Sequence, residues 1–133
     1  MSARAPDAGL AGPGRHVLLG VLLGGMAGTA LRLAVAEAIA PLWATLAVNL
    51  AGALLLGLLY ERLREHRIGR SATWSALGPG LCGALTTFSA LQLEAVELAR
   101  DGSWKGALLY LAASLCLGLP AAALGRRLGR ARA

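Results

Sequence analysis

The chain has 133 residues, of which 56% are hydrophobic, 15% charged and 5% aromatic, and its mean hydropathy is +0.61. So little charge in so apolar a chain excludes an ordinary water-soluble surface, and it excludes disorder, which needs low hydrophobicity and high net charge. A formal charge of +6 would suit a nucleic-acid partner, but the 13 Lys and Arg residues lie mostly between and beyond the apolar blocks, as they do at membrane flanks.

A hydrocarbon core of about 30 Å takes roughly 20 apolar residues per helix, so the length provides four crossings, short connections and no extramembrane catalytic domain. Residues 1–16, rich in Ala, Gly and Pro, read as a disordered tail. The apolar run that follows is too long for a signal peptide and lacks a clear cleavage site. The first block runs from Val17 to Ala36 with one charge, Arg32, near its end. The second, Leu42 to Tyr60, has no charge but contains Asn49. The third, Ala76 to Leu93, precedes Glu94; it carries Gly78, Pro79, Gly80 and Gly83 in its first half and Thr86, Thr87 and Ser89 in its middle, which predicts a broken helix. The fourth spans Gly106 to Gly125 with Tyr110, Ser114 and Pro120.

Lipid requires every backbone group to be satisfied internally, so the predicted fold class is an all-α membrane protein. Residues 17–125 form a single domain of four transmembrane helices, the third broken, and residues 126–133 a basic tail. No repeat relates the halves, so any symmetry must come from a second subunit. Cys82 and Cys116 fall inside apolar blocks with no CxxC pair or His cluster nearby, which reads as buried thiols.

Gly20, Gly24 and Gly28 place hydrogen side chains on one helix face, which admits a neighbouring backbone either within the chain or across a subunit interface. Asn49, deep in an uncharged block, needs a partner; the choice lies between an interhelical hydrogen bond and a pore-lining amide whose N–H groups donate to an anion. The stretch GPGLCGALTTFS, residues 78–89, reads either as unwound backbone that lines a cavity or as a kinked helix whose hydroxyls bond back to preceding carbonyls. Arg32 either snorkels or raises the local anion concentration at a pore mouth. Arg4, Arg15, Arg62, Arg64, Arg67, Arg70, Arg126, Arg127, Arg130 and Arg132 make ten positive residues on one side of a four-helix topology, against Arg32, Arg100 and Lys105 on the other. That bias places both termini in the cytoplasm.

Gly24-Gly25 through Arg32, TLAVNLAG from Thr45 to Gly52, and GLCGALTTFS from Gly80 to Ser89 followed by Glu94 together resemble the small fluoride channels of the Fluc/CrcB family. The resemblance covers all four helices in order. It implies a four-helix subunit of a bacterial plasma membrane that pairs antiparallel with an identical or closely related chain, forms two fluoride pores and holds a structural, untransported Na+. Carried over by position, the backbone carbonyls of Gly83 and Thr86 would bind that sodium. Phe88 matches a phenylalanine whose positive ring edge borders the fluoride path. Asn49 matches a pore-lining asparagine, Arg32 a vestibule arginine, and Glu94 an acidic residue near the other pore end. Tyr110 and Ser114 fall on a track of hydroxyls, and Ser89 lies within the matching motif beside the path. Leu91 and Ala90 depart from the pattern, standing where many members have a second phenylalanine and a hydroxyl; Leu91 then serves as an apolar wall, or a partner subunit supplies the ring.

The implied function is a passive, fluoride-specific channel, which performs no enzymatic chemistry. Two other functions are open to four apolar helices. A coupled cation exporter of the small multidrug-resistance type needs a membrane-embedded carboxylate, and the first helix has none before Glu37. A non-transporting structural subunit accounts for packing glycines but not for the broken third helix.

Overall fold

The computed structural model of the chain describes residues 13–63 and 71–131, within which every regular element is helical. The expected N-terminal tail as far as residue 12 lies outside the described residues, as do Arg4, Arg64, Arg67, Arg70 and Arg132 of the charge count. Helix α1 spans Arg15–Ala38, α2 spans Pro41–Arg62 and the last helix, α6, spans Trp104–Arg130. Pro41 opens α2 at the first helical position, where its missing N–H costs nothing. At 1.5 Å per residue these helices reach about 33 to 40 Å. All three are long and apolar enough to cross a membrane.

The segment between α2 and α6 is the broken one. It begins with α3, Ala72–Ser75, capped by Ser71, whose hydroxyl accepts from the Trp74 N–H at 3.0 Å. The helix then widens into a π-helical stretch, Ala76–Cys82, with Pro79 inside it. Proline lacks the N–H that an α-helix would use, and a widened turn is one way to accommodate that loss. A last turn, α4, covers Gly83–Leu85. Thr86 and Thr87 are extended, with ψ of 149° and 126°. Helix α5, Phe88–Arg100, starts afresh under a cap in which Thr87 Oγ1 accepts from the Ala90 N–H at 3.2 Å. The composition of residues 78–89 thus yields two separate irregularities, a widening around Pro79 and a full interruption at Thr86-Thr87.

Helix α5 ends in a Schellman turn. The Ser103 N–H donates to the Leu98 carbonyl at 2.9 Å and the Gly102 N–H to the Ala99 carbonyl at 3.1 Å. Gly102 has φ of 83°, a region where a side chain is strained.

Helix α1 lies along the π-helical stretch, α2 along α6, and α5 across both α6 and α2. The glycine stripe of α1 faces inward, onto that stretch. A Cβ at Gly20 would sit 2.8 Å from the Ala72 carbonyl oxygen, and at Gly24 and Gly28 it would strike the carbonyl oxygens of Ala76 and Leu81. The stripe is therefore intrachain packing. Gly57 and Gly125 do the same for the α2–α6 pair, facing the Ala122 and Leu54 carbonyls. A small core of Leu91, Ala95 and Tyr110 joins α5 to α6, backed by Leu42, Leu46 and Leu98. Leu18, Leu22, Met26, Leu108, Leu115 and Leu119 point outward and are exposed, an arrangement that only lipid or another subunit satisfies.

Candidate functional site

The interruption at Thr86-Thr87 is held by a side chain from another helix. Asn49, on α2, donates from Nδ2 to the Thr87 carbonyl at 2.9 Å and accepts at Oδ1 from the Thr87 N–H at 2.8 Å. The amide thereby replaces the two helical hydrogen bonds that Thr87 has lost. An Asn side chain has two N–H donors, so one remains beyond this clamp. Asn49 thus meets the first of its two readings, an interhelical bond, and keeps a donor for the second.

Asn49, Thr86, Thr87, Phe88 and Leu91 line an open hollow of about 260 Å³. Phe88 is 70% exposed, its ring standing out from the first turn of α5. Leu91, one turn on, is buried against the Ala95 and Tyr110 core and presents an apolar wall to the hollow. Ser89 is exposed and does not line the hollow; its hydroxyl lies 3.3 Å from that of Thr87.

A second hollow, of about 180 Å³, shares Thr87 with the first and is lined in part by Arg32, Thr45 and Glu94. Glu94 is only 7% exposed. Each of its carboxyl oxygens receives a hydroxyl: Thr45 Oγ1 donates to Oε1 at 2.7 Å and the Tyr110 O–H donates to Oε2 at 2.5 Å. These bonds offset the cost of burying the carboxyl and join α2, α5 and α6 at one point. Arg32 Nε is buried beside this hollow and Ser114 Oγ is buried one helical turn from Tyr110; neither has a hydrogen-bond partner among the described residues. Unpaired buried polar atoms are costly, and both keep a donor that no described residue uses.

The structure therefore brings Arg32, Asn49, Phe88, Leu91 and Glu94 around Thr87, with Tyr110 joined to them through Glu94, while Ser89 and Ser114 line neither hollow. Thr45 is a member of the site that was not singled out from the sequence. Its signal is the spacing of four residues from Asn49, which places both on one face of α2.

Gly83 lies in the last turn before the break and Thr86 within the break. The Thr86 hydroxyl turns back to the Cys82 carbonyl at 2.9 Å, and the Thr87 N–H goes to Asn49. Among the described residues, the Gly83 and Thr86 carbonyls then receive no hydrogen bond. Freed carbonyl oxygens are the donor type that hard cations take, so the residues present fit a small cation bound through backbone. Among the described residues there is no group of three or more His, Cys, Asp or Glu side chains suited to a metal.

Residues 19–126 match the family described as CrcB-like protein, Camphor Resistance (CrcB). The chain is similar to the "Fluoride-specific ion channel FluC 1" of Mycobacterium tuberculosis, 40% identical over 115 residues, or 86% of this chain and 87% of that one. Likeness to the "Fluoride-specific ion channel FluC" of Pseudomonas putida is 38% over 120 residues, covering 86% and 97% of the two chains. For the Magnetococcus marinus protein of the same name it is 37% over 116 residues, covering 83% and 94%. The family match takes in most or all of every helix that builds the site, and the chain belongs to the CrcB family.

Proposed function

We propose that this chain is the subunit of a fluoride-specific channel, through which the anion leaves the cytoplasm down its electrochemical gradient. The observation that carries this reading is the set of donors left over after internal pairing, Arg32 Nε, the second Nδ2 N–H of Asn49 and the Ser114 hydroxyl, in an otherwise apolar bundle with a broken helix whose relatives are named for that ion. Fluoride crossing such a path exchanges its water for hydroxyl, amide and ring-edge donors, and Phe88, exposed at the break, supplies the ring edge. Arg32 concentrates the anion at the entrance. With the interior negative, an exiting anion gains about 2.3 kcal/mol per 100 mV, so no coupled energy source is needed. A coupled cation exporter has less support, because α1 offers no carboxylate before Glu37 and Glu94 is already bonded to two hydroxyls.

The test is flux from liposomes holding the purified protein. A fluoride gradient is expected to collapse while a chloride gradient of equal size is held. Equal rates for the two anions would end the proposal.

The path is completed, on this reading, by a second identical or closely related chain packed antiparallel, and the fully open side of Gly83 supports it. A Cβ added there meets nothing within 4 Å in this chain, so a neighbour has room to approach the backbone at that point. The same neighbour would double the Gly83 and Thr86 carbonyls around a structural Na+, which when bound supplies a fixed positive charge at the centre of the pair. Gly83→Leu is expected to weaken dimerisation about tenfold or more, by overpacking the interface, with helix content unchanged. Cross-linking in dilute detergent reads the outcome, and an undisturbed dimer counts against this interface. The ten-to-three bias of positive charge sets both termini of this chain in the cytoplasm, so its antiparallel partner has its termini on the opposite side, which favours a closely related chain of opposite bias over an identical copy.

A further inference from the structure

The cytoplasm-facing ends of α2 and α6 carry a charged cluster that the channel function does not use. Glu61, at the end of α2, has a side chain only 4% exposed. Its Oε1 accepts from Arg126 Nε at 2.8 Å and from Arg130 Nη2 at 3.0 Å. The helices come close enough for this because Gly125 and Gly129 lie against the Leu54 and Leu58 carbonyls. Arg126 also lies over the Tyr60 ring, 5.6 Å from its centroid. The two guanidiniums are thus fixed from behind, while their side chains stay 49% and 60% exposed. Each guanidinium has five N–H donors in a rigid fork, and one from each is seen spent on Glu61. Arg127, between them in sequence, is exposed and makes no ion pair among the described residues. With Ala123 these three arginines line an open hollow of about 180 Å³.

We infer that this hollow is a binding site for the phosphate of an anionic phospholipid, with Glu61 as its positioning residue. Three guanidiniums facing one recess match a phosphodiester in charge and in donor geometry. Anchoring two of them on a buried carboxylate removes part of the side-chain entropy that binding would otherwise cost. The place in the fold selects a lipid over a soluble phosphate. The hollow tops a helix that carries exposed Leu115 and Leu119 on the same face, eight and four residues before Ala123, a surface that acyl chains cover while the headgroup sits at the arginines.

The test is native mass spectrometry of the purified full chain titrated with phosphatidylglycerol, with phosphatidylcholine as the neutral control. Phosphatidylglycerol is expected to be retained preferentially, and Arg127→Gln to weaken it about fivefold, the effect of one basic residue near an anionic surface. Arg15→Gln removes the same charge from the same side and is expected to leave retention unchanged; an equal loss there would mean diffuse attraction and overturn the site. Glu61→Gln separates the two explanations by sign. It makes the cluster more positive, so diffuse attraction tightens binding, whereas loss of the anchor weakens it severalfold. If that variant fails to fold, the comparison of Arg127→Gln with Arg15→Gln decides alone. Displacement of the lipid by millimolar inorganic phosphate would assign the hollow to a soluble anion instead and also overturn the proposal.

Discussion

Gly24→Ala is expected to remove most of the folded protein from the membrane, whereas Gly25→Ala, one residue along the same helix, leaves its amount unchanged. A Cβ at Gly24 strikes the carbonyl oxygen of Ala76 and crowds the Ala76 Cα, while at Gly25 it meets nothing within 4 Å. The obstacle at Gly24 is backbone, which has no rotamer to turn away. Relief requires α1 to lift off the π-helical stretch along its length, and Gly20 and Gly28 lie on the same contact. Overpacking of this kind costs about 3 kcal/mol or more, a large share of an ordinary domain's stability of about 5 to 15 kcal/mol. The readout is the yield of monodisperse protein extracted in mild detergent, compared between the two variants. Equal yields would show that the stripe faces lipid and that the close approach of α1 to the broken segment is not what holds the bundle together.

This pair also marks where the sequence stops being informative. Spacing of four residues puts three glycines on one face of α1 and says that some backbone comes near; it carries nothing about which backbone, because that depends on how elements 50 residues apart are stacked. The same holds for Asn49, whose depth in an uncharged block shows that it must have a partner. That the partner is the N–H and carbonyl of Thr87, 38 residues on, follows only from the packing of α2 against the break. Local signals did better. Lipid-length apolar blocks located three of the helices, since apolar length is what the membrane demands, but α6 continues to Arg130, through most of the stretch expected as a basic tail. The glycines, Pro79 and the hydroxyls of residues 78–89 located the irregular segment. They did not separate the π-helical widening from the interruption at Thr86-Thr87, because the first reflects a missing N–H at Pro79 and the second depends on Asn49, which no local pattern contains. Glu94 was picked out by motif, but its two hydroxyl donors come from α2 and α6. Tyr110 and Thr45 acquire their role only when three helices meet.

Asn49→Asp is expected to cut fluoride flux by at least about tenfold, with the chain still inserted and helical. The substitution keeps the shape of the side chain, and one carboxylate oxygen still accepts from the Thr87 N–H. The other now stands where Nδ2 stood, 2.9 Å from the Thr87 carbonyl oxygen, with no proton to share. Two acceptors at that distance repel, and the Thr87 carbonyl loses its donor, a loss of about 1 to 3 kcal/mol. The extended conformation at Thr86-Thr87 is thereby released, and with it the hollow that Phe88 and Leu91 wall. The carboxylate also removes the spare amide donor and sets a negative charge beside the route of an anion. A barrier raised by about 1.4 kcal/mol already slows passage tenfold, so either effect suffices. Asn49→Ser tells them apart: it abolishes the two-point clamp on Thr87 without adding charge. If the clamp is the whole role of Asn49, Ser and Asp lower flux equally; if the amide also meets the ion, Asp is the more severe. Flux per reconstituted protein, normalised to inserted chain, is the measurement. Unaltered flux in Asn49→Asp would show that the clamp neither shapes the route nor faces it.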